Sequence, residues 1–171
     1  MSSHDQSPHW INSFRHLLNR TFNIPYKKIH IPSRGDFPSQ VKYSPIVTTV
    51  LETEAKRLDF SFDSIIDSGA DYCVFPSQLG TLIGLNVELG KRLPTYGVGG
   101  QETLYFHHIK ITLFMGGEPW EFPCFAGFSR KMNHKGVGLL GRQGFFNLFK
   151  KILFLENQRR LILTSESGPL F

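Results

Sequence analysis

The sequence predicts one mostly β domain, and two observations carry that prediction. Its apolar stretches are short, bounded by glycine and proline, and rich in the β-branched and aromatic residues typical of strands. Apolar residues at helical spacing are scarce by comparison. With 171 residues, the chain is long enough for one domain with a substantial buried core.

Charge and hydropathy narrow the class of function. The 19 Lys and Arg residues against 14 Asp and Glu give a formal charge of +5, but the basic residues occur in scattered pairs. Such pairs are typical of solvated turns and not of a nucleic-acid-binding stripe. No apolar run approaches the ~18 residues of a membrane-spanning helix, and the polar start lacks the hydrophobic region of a signal peptide. We therefore expect a cytoplasmic protein with no membrane or nucleic-acid partner.

The two cysteines are consistent with a cytoplasmic location. Cys73 and Cys124 lie in apolar surroundings and do not have C-x-x-C spacing. Residues of this kind are predicted to be buried free thiols in a reducing compartment.

The first 40 residues are predicted to be an extension that precedes the domain proper at 41–171. Trp10, Phe14, Leu17 and Leu18 recur at helical spacing, which predicts a short amphipathic helix. From Ile24 to Pro45, four prolines predict an irregular, extended segment.

The remaining chain predicts strands joined by turns, with one or two short helices. Strands are expected at 46–51, 57–63 leading into 65–66, 73–75, 103–115 and 120–125, with a hairpin turn at Gly116-Gly117 and a closing hairpin of 151–156 with 160–163. Helical turns are expected at 77–84 and 145–149.

The functional hypothesis depends mainly on the stretch from Ser64 to Asp71. A short apolar strand runs directly into Asp67-Ser68-Gly69-Ala70. A carboxylate at that point is held at the mouth of a packed sheet, and glycine lets the backbone turn and approach a substrate closely. Asp-Ser-Gly is also ordinary turn chemistry, so the motif alone leaves both readings open.

Other motifs in the sequence are weaker evidence of a function. Gly136 to Gly141 spells G-x-G-x-x-G, but no strand precedes it and no βαβ unit surrounds it, which argues against nucleotide binding. The neighbours His107 and His108 would point to opposite faces of a strand and could not share a metal ion. We expect no metal and no cofactor.

Three motifs follow one another along the chain in a characteristic order. The Ile-Ile-Asp-Ser-Gly-Ala turn is followed by a glycine-rich loop at Gly97-Val98-Gly99-Gly100, and then by Leu139-Leu140-Gly141-Arg142 ahead of a short helix. This order resembles the single-lobe, retroviral-type aspartic proteases, the retropepsin-like family, including its uncharacterised bacterial members. The resemblance runs from about Val47 to Leu163.

The resemblance implies a closed, barrel-like acid-protease fold and a role for each motif. Asp67 would be the catalytic carboxylate, Ser68, Gly69 and Ala70 its turn, and residues 97–100 a flap over the substrate. Leu139, Leu140 and Gly141 would pack behind the turn, and Asp71 and Arg142 would pair beside it. The predicted C-terminal hairpin departs from the interdigitating tail strands of retroviral enzymes, which leaves the dimer mode open.

One Asp-Ser-Gly per chain implies a partner. The chemistry needs two carboxylates, and a second lobe would not fit in this length. The resemblance therefore predicts a homodimeric endopeptidase that cleaves a peptide or protein substrate, with Val98, Leu139 and Ile65 lining apolar side-chain sites. The alternatives are a catalytically inactive peptide- or protein-binding module on the same fold and, from the positive charge alone, a nucleic-acid binder.

Overall fold

A computed structural model describes residues 20–97 and 100–165 of the chain. The strands of this part are, in chain order, β1 Thr21–Pro25, β2 Lys27–Ile31, β3 Gln40–Ser44, β4 Ile46–Glu52, β5 Phe62–Ile66, β6 Val74–Pro76, β7 Lys91–Gly97, β8 Gly100–Met115, β9 Glu118–Ser129, β10 Gly138–Leu140, β11 Phe149–Leu155 and β12 Arg160–Ser165. One α-helix, α1, spans Ser77–Leu82, and 3₁₀ turns span Val87–Leu89, Phe146–Leu148 and Glu156–Gln158. The mostly β prediction is confirmed.

Six strands close into a barrel. The order is β4, β5, β10, β6, β9 and β8, and β8 pairs back onto β4 to complete the ring. The β5–β10 and β6–β9 pairs are parallel, while the other pairs in the ring are antiparallel. The predicted closed barrel is therefore confirmed. Closure leaves no free sheet edge inside the ring, and β7 extends the sheet by pairing with the outer end of β8.

The long β8–β9 hairpin shows why the sequence folds this way. Ile109, Ile111 and Leu113 of β8 are all buried; Lys110, between the first two, is half-buried, whereas Thr112, between the last two, is buried as well. They lie opposite Cys124, Phe122 and Trp120 of β9, which are also buried. The turn is Gly116-Gly117, with φ of 75° and 96°, values that favour glycine. The hairpin predicted from Gly-Gly is confirmed.

A second, three-stranded sheet packs against the barrel. Its order is β1, β12, β11, so β12 is hydrogen-bonded on both sides. Phe22 of β1 and Phe149 of β11 contact Trp120 of the barrel, with ring centroids 5.8 and 5.1 Å apart. The closing hairpin of β11 and β12 is as predicted, and its pairing with β1 makes it part of an intrachain sheet.

Some local predictions differ from the structure. The segment 24–45 is not irregular, because β2 and β3 pair as a hairpin; Pro32 and Pro38 fall between these strands and Pro45 follows β3, so the prolines do not interrupt a strand. The strand predicted from Arg57 begins only at Phe62. The helix predicted at 145–149 is reduced to the 3₁₀ turn at Phe146–Leu148, and β11 follows at once. The predicted N-terminal helix lies outside the described residues.

The two thiols are buried and free, as predicted. A hydrogen bond with Cys73, together with burial, raises the pKa of the Cys124 thiol well above its ordinary value. Both sulfurs border Gly144, where a Cβ would lie 2.5 Å from the Cys124 sulfur and 3.2 Å from that of Cys73. In the part of the chain that is described, no helix has the length and apolar character to cross a membrane.

Tyr26 gives a stability prediction. Burial, the hydrogen bond that its hydroxyl donates to Glu156 at 2.9 Å and the charge of Glu156 raise the pKa of Tyr26 to about 12. Because the folded-state pKa lies above the ordinary value of 10.0, this contribution is complete below pH 10 and is lost as the pH rises from 10 towards 12. We expect Tyr26→Phe to lower the free energy of unfolding by about 1 kcal/mol at neutral pH and to flatten the alkaline decline.

Denaturant unfolding between pH 7 and 11 measures both effects. Tyr96→Phe, at a side chain that is 80% exposed, serves as the matched control and should follow the wild-type curve. An alkaline decline of equal slope in Tyr26→Phe and wild type would contradict the assignment.

Candidate active site

Asp67 directly follows strand β5 and lies at one end of the barrel. Ser64 and Ile66 point into the core and are buried, and Asp67 follows directly, half-buried. The backbone of this end is fixed on two sides, because the Ile66 N–H donates to Pro45 O at 2.9 Å and the Asp67 N–H donates to Leu140 O at 3.1 Å. The side chain of Asp67 therefore begins from a rigid main chain.

The Asp-Ser-Gly turn holds the carboxylate. Asp67 Oδ1 accepts a hydrogen bond from the Gly69 N–H at 2.9 Å, and Asp67 O accepts one from the Ala70 N–H at 3.2 Å. Gly69 does not have positive φ, so its contribution is space: a Cβ there would lie 3.2 Å from Asp67 Oδ1. Ser68 is exposed at the tip of the turn. The hydrogen bond from the Gly69 N–H therefore fixes one of the two carboxylate oxygens of Asp67.

The strand β10 packs directly beside β5. Leu139 is opposite Ile65 and Leu140 is opposite Ile66 in parallel register. After Leu140, Gly141 passes so close to the active-site turn that a Cβ would lie 2.2 Å from Tyr72 O and 2.8 Å from Ala70 O. Only glycine fits here. The structure thus brings the first and the third predicted motifs together.

Arg142 then binds the turn from outside. Its Nε donates to Ser68 O at 3.0 Å, and its backbone N–H donates to Ala70 O at 2.9 Å. The ion pair with Asp71 is longer, at 3.9 Å from Nη1 to Oδ1, and the two side chains are 64% and 72% exposed. An exposed pair of this kind contributes at most about 1 kcal/mol, so the hydrogen bonds to the turn matter more than the charge pair.

The strands β7 and β8 form the two arms of the predicted flap. They pair antiparallel as far as Gly97 and Gly100, and Gly100 has φ of 85°. Val98 and Gly99, the predicted tip, lie outside the described residues. The β8 arm is fixed to the loop after β9, because the Glu102 carboxylate accepts hydrogen bonds from Ser129 Oγ at 2.7 Å and from the Lys131 N–H at 3.1 Å.

A small apolar cluster, separate from the main core, joins the flap arms to the turn. Its members come from both flap strands, the active-site turn, β6, β10 and the loop after β9: Tyr72, Val74, Leu93, Leu104, Phe106, Met132 and Leu139. Tyr72 contacts Phe106 edge-on, with ring centroids 5.0 Å apart.

Sequence reasoning named only one member of that cluster. Leu139 belongs to it, while Ile65 is half-buried in the barrel wall and Val98 lies outside the described residues. The alternation of Leu104 and Phe106 along β8 was a usable signal for the flap-side members. Glu102 and Ser129 carried no signal, because they are 27 positions apart and meet only through the pairing of the fold.

The histidines occupy structural positions. His107 Nε2 lies 2.9 Å from Val87 O and its ring packs on Phe128, while His108 packs on Phe125 with centroids 4.6 Å apart. Within residues 20–97 and 100–165, no three His, Cys, Asp or Glu side chains form a group that could hold a metal ion.

The closed six-stranded barrel, the Asp-Ser-Gly turn at the end of β5 and the β7–β8 hairpin agree with the single-lobe, retropepsin-like acid-protease fold that the sequence predicted. No family model matches the sequence, and no curated protein matches it. Among solved structures, the chain is similar to a retropepsin-like aspartic protease from Rickettsia conorii at 16% identity, covering 86% of this chain and 95% of that chain with a TM-score of 0.49.

The chain is also similar to EIAV protease complexed with the inhibitor HBY-793. The identity is 18%, the match covers 58% of this chain and 82% of that chain, and the TM-score is 0.35. At these identities and TM-scores, neither likeness assigns a role to any residue of this chain.

Proposed function

We propose that this chain is an aspartic endopeptidase, a hydrolase whose catalytic dyad consists of Asp67 from each of two identical subunits. The observation that carries the proposal is the geometry of Asp67: a half-buried carboxylate at the end of a rigid strand, with one oxygen held by the Gly69 N–H. The sequence contains one Asp-Ser-Gly, so a two-fold symmetric dimer with both turns on its axis supplies the second carboxylate.

The proposed mechanism uses the two carboxylates as one unit. Two carboxylates a few ångströms apart do not both ionise, so they share a proton; aspartic proteases are the standard example of this pairing. The ionised partner takes a proton from a water molecule, which attacks the peptide carbonyl carbon. The neutral partner donates its proton to the carbonyl oxygen. Collapse of the tetrahedral intermediate then breaks the C–N bond, and the amine leaves with a proton from the dyad.

The surrounding residues have supporting roles in this proposal. Ser68, Gly69 and Ala70 form the turn that presents Asp67, and Leu139, Leu140 and Gly141 pack behind it. Arg142 holds the turn through Ser68 O, with Asp71 beside it. Gly97, Val98, Gly99 and Gly100 close over a peptide in extended form and exclude water from the site.

The apolar cluster beside the turn supports a preference for bulky apolar residues at the cleavage site. Tyr72, after the turn, and Leu139, in β10, are half-buried members of this cluster, whereas Leu104 is buried. Burying such a residue of the substrate contributes roughly 1.5–3 kcal/mol. Ile65 and Val98 complete the proposed apolar lining. The buried free thiols support a reducing compartment, and we include a cytoplasmic location in the proposal.

The second candidate is a catalytically inactive module that binds peptides or proteins on the same fold. One observation favours it: the sequence has a single Asp-Ser-Gly motif, so a monomer would have only one of the two carboxylates that the chemistry needs. A chain that stays monomeric while it binds apolar peptides without cleaving them would support this candidate.

The pH dependence of cleavage tests the dyad. For an apolar peptide substrate, we expect kcat/KM to follow a bell-shaped curve with its maximum on the acid side of neutrality, because the two limbs report the two ionisations of the pair. Initial rates from pH 3 to 9 measure this curve, and circular dichroism at each pH separates it from unfolding. A rate that still rises from neutral into alkaline pH would identify a different base.

A further inference from the structure

A continuous row of rings leads away from the active-site turn. Tyr72, shortly after Asp67, contacts Phe106 of β8 with ring centroids 5.0 Å apart, Phe106 contacts Phe125 of β9 at 5.3 Å, and Phe125 contacts His108 at 4.6 Å. We call Tyr72, Phe106, Phe125 and His108 the aromatic strip. Its first two members belong to the apolar cluster beside the turn, and the other two extend the row beyond that cluster.

Strand pairing places the strip on one face of the sheet. His108 is opposite Phe125, and the side chains of opposed residues lie on the same face. Phe106 and His108 are alternate residues of β8 and therefore share that face. His107, between them, points to the other face, where its ring packs on Phe128. The four rings are therefore a surface of the β8–β9 hairpin and not a part of the barrel core.

The outer end of the strip is open to solvent. Phe106 is buried between its two neighbours and Tyr72 is half-buried, whereas Phe125 is 39% exposed and His108 is also exposed. Single exposed apolar residues are common on protein surfaces, but a contiguous set of aromatic side chains marks a site of interaction. The row begins in a buried cluster and ends in water, which gives this surface a direction.

A cation lies beside the rings. Lys91 of β7 is opposite Phe106, so its side chain lies on the face of the strip, and it is exposed. Within residues 20–97 and 100–165, its ammonium group has no acidic partner. The neighbouring Arg92 lies over the Tyr105 ring on the opposite face and is engaged there. A chain bound along the strip therefore meets a cation that an acidic side chain complements.

The position of the strip indicates what binds there. Its inner end adjoins the proposed cleft, because Leu93 and Leu104 of the two flap arms pack in the same cluster as Tyr72. Added end to end, the centroid distances place His108 at most about 15 Å from Tyr72, which roughly four or five residues of an extended chain span. The flanking sequence of a peptide that lies extended in the cleft can therefore continue along the strip.

We propose that the aromatic strip is a second binding surface for the substrate, which holds an aromatic side chain about four or five residues beyond the one that meets Tyr72, with an adjacent acidic side chain held by Lys91. This inference rests on the proposed function for the path of the peptide. It names the substrate class: proteins in which an aromatic–acidic pair lies at that distance from an apolar cleavage site.

Fluorescence anisotropy of labelled peptides with the Asp67→Asn chain measures binding without cleavage. The peptides share an apolar core, and a Phe-Asp pair moves along the flanking sequence one position at a time, with Ser-Asn as the reference. We expect one placement to bind about tenfold more tightly than the reference, because a ring stacked on the strip is removed from water. With the wild-type chain, kcat/KM for that peptide should rise by a similar factor.

Matched variants locate the ring contact. Phe125→Ser should abolish the preference for Phe over Ser in the peptide. Phe114→Ser should retain it, because Phe114 is 41% exposed on the same face of β8 but lies near the hairpin turn, away from the strip. Circular dichroism checks the fold of both variants. If Phe125→Ser fails to fold, His108→Ser takes its place.

A second pair of variants tests the charge. Ser-Asp and Ser-Asn peptides differ only in the acid, and Lys91→Glu should reverse a roughly threefold preference for Asp over Asn. Lys56→Glu makes the same change in charge at an exposed position in the loop before β5 and should leave that preference unchanged.

This inference and the proposed function fail separately. A preference for the Phe-Asp pair that requires Phe125, in a chain that cleaves none of the peptides, would overturn the peptidase and retain the surface. Cleavage of the core peptide with no effect of the pair at any placement would overturn the surface, as would an effect that survives Phe125→Ser and Lys91→Glu, or a chain that binds no peptide. Weaker dimer formation by Phe125→Ser in sedimentation would assign the face to a subunit contact and overturn it too.

Discussion

If the chain is the proposed homodimeric peptidase, Asp67→Asn is expected to lower kcat/KM by about a thousandfold or more without loss of the fold or of dimer formation. Proton transfer by a placed side chain contributes on the order of 10² to 10⁴ in rate, and an amide can take no proton from water. The change is nearly isosteric, and the remaining Oδ1 can still accept the hydrogen bond from the Gly69 N–H. Initial rates with an apolar peptide measure the loss, and Asp59→Asn, in the exposed loop before β5, should retain wild-type activity.

Mixing the two chains tests whether the site is shared. When equal amounts of wild type and Asp67→Asn re-equilibrate, random pairing leaves about a quarter of the dimers with two carboxylates, so activity per wild-type chain should fall to roughly half. Excess mutant should lower it further by mass action. If activity per wild-type chain stays constant although mass spectrometry shows heterodimers, the carboxylates do not act as a pair.

Gly141→Ala is the substitution expected to cost most in stability. The new Cβ would lie 2.2 Å from Tyr72 O and 2.8 Å from Ala70 O, which are backbone atoms of the active-site turn. Backbone cannot yield as a flexible side chain does, so the turn and β10 must separate. Overpacking typically costs 1–3 kcal/mol, and we expect a loss at or above about 3 kcal/mol, with activity lost as the turn shifts.

Gly136→Ala is the matched control for that prediction. Gly136 has φ of 63° and no atom within 4 Å of a Cβ position, so its replacement meets only the left-handed backbone penalty of roughly 1–2 kcal/mol. Denaturant unfolding of both variants gives the comparison. Equal free energies of unfolding would show that β10 and the turn can move apart freely.

The sequence predicted those parts of the fold in which the local pattern and the tertiary environment agree. The apolar residues that alternate along the middle of β8 and β9 are buried, as the pattern predicted, although Thr112 of β8 is buried as well. The turn after Ile66 and the segment before Arg142 were both visible as motifs, and the structure brings them into direct hydrogen-bonding contact at Arg142 and Ala70.

Other parts depended on pairings that no local pattern encodes. The prolines of residues 24–45 indicated an irregular segment. Whether a proline interrupts a strand depends on which residues pair, and here β2 and β3 pair with each other and contain no proline. The run at 145–149 was predicted as a short helix, but Phe and Asn are weak helix formers; Phe145 and Phe149 pack on Trp120, and the chain continues into β11. At the site, Glu102 was missed for the same reason, since its partners are distant in sequence.

The three-stranded sheet joins strands from both ends of the described chain, which limits when it can form during synthesis. The strand β1 leaves the ribosome early, but its partner is β12, and the Arg20 N–H meets Ser165 Oγ across 145 positions of the chain. At 5–20 residues per second, β1 is synthesised roughly 7–28 s before the end of β12. During this interval Phe22 and Ile24, buried in the finished fold, face water. The three-stranded sheet can therefore form only after β12 has emerged, and until then Phe22 and Ile24 lack their final packing.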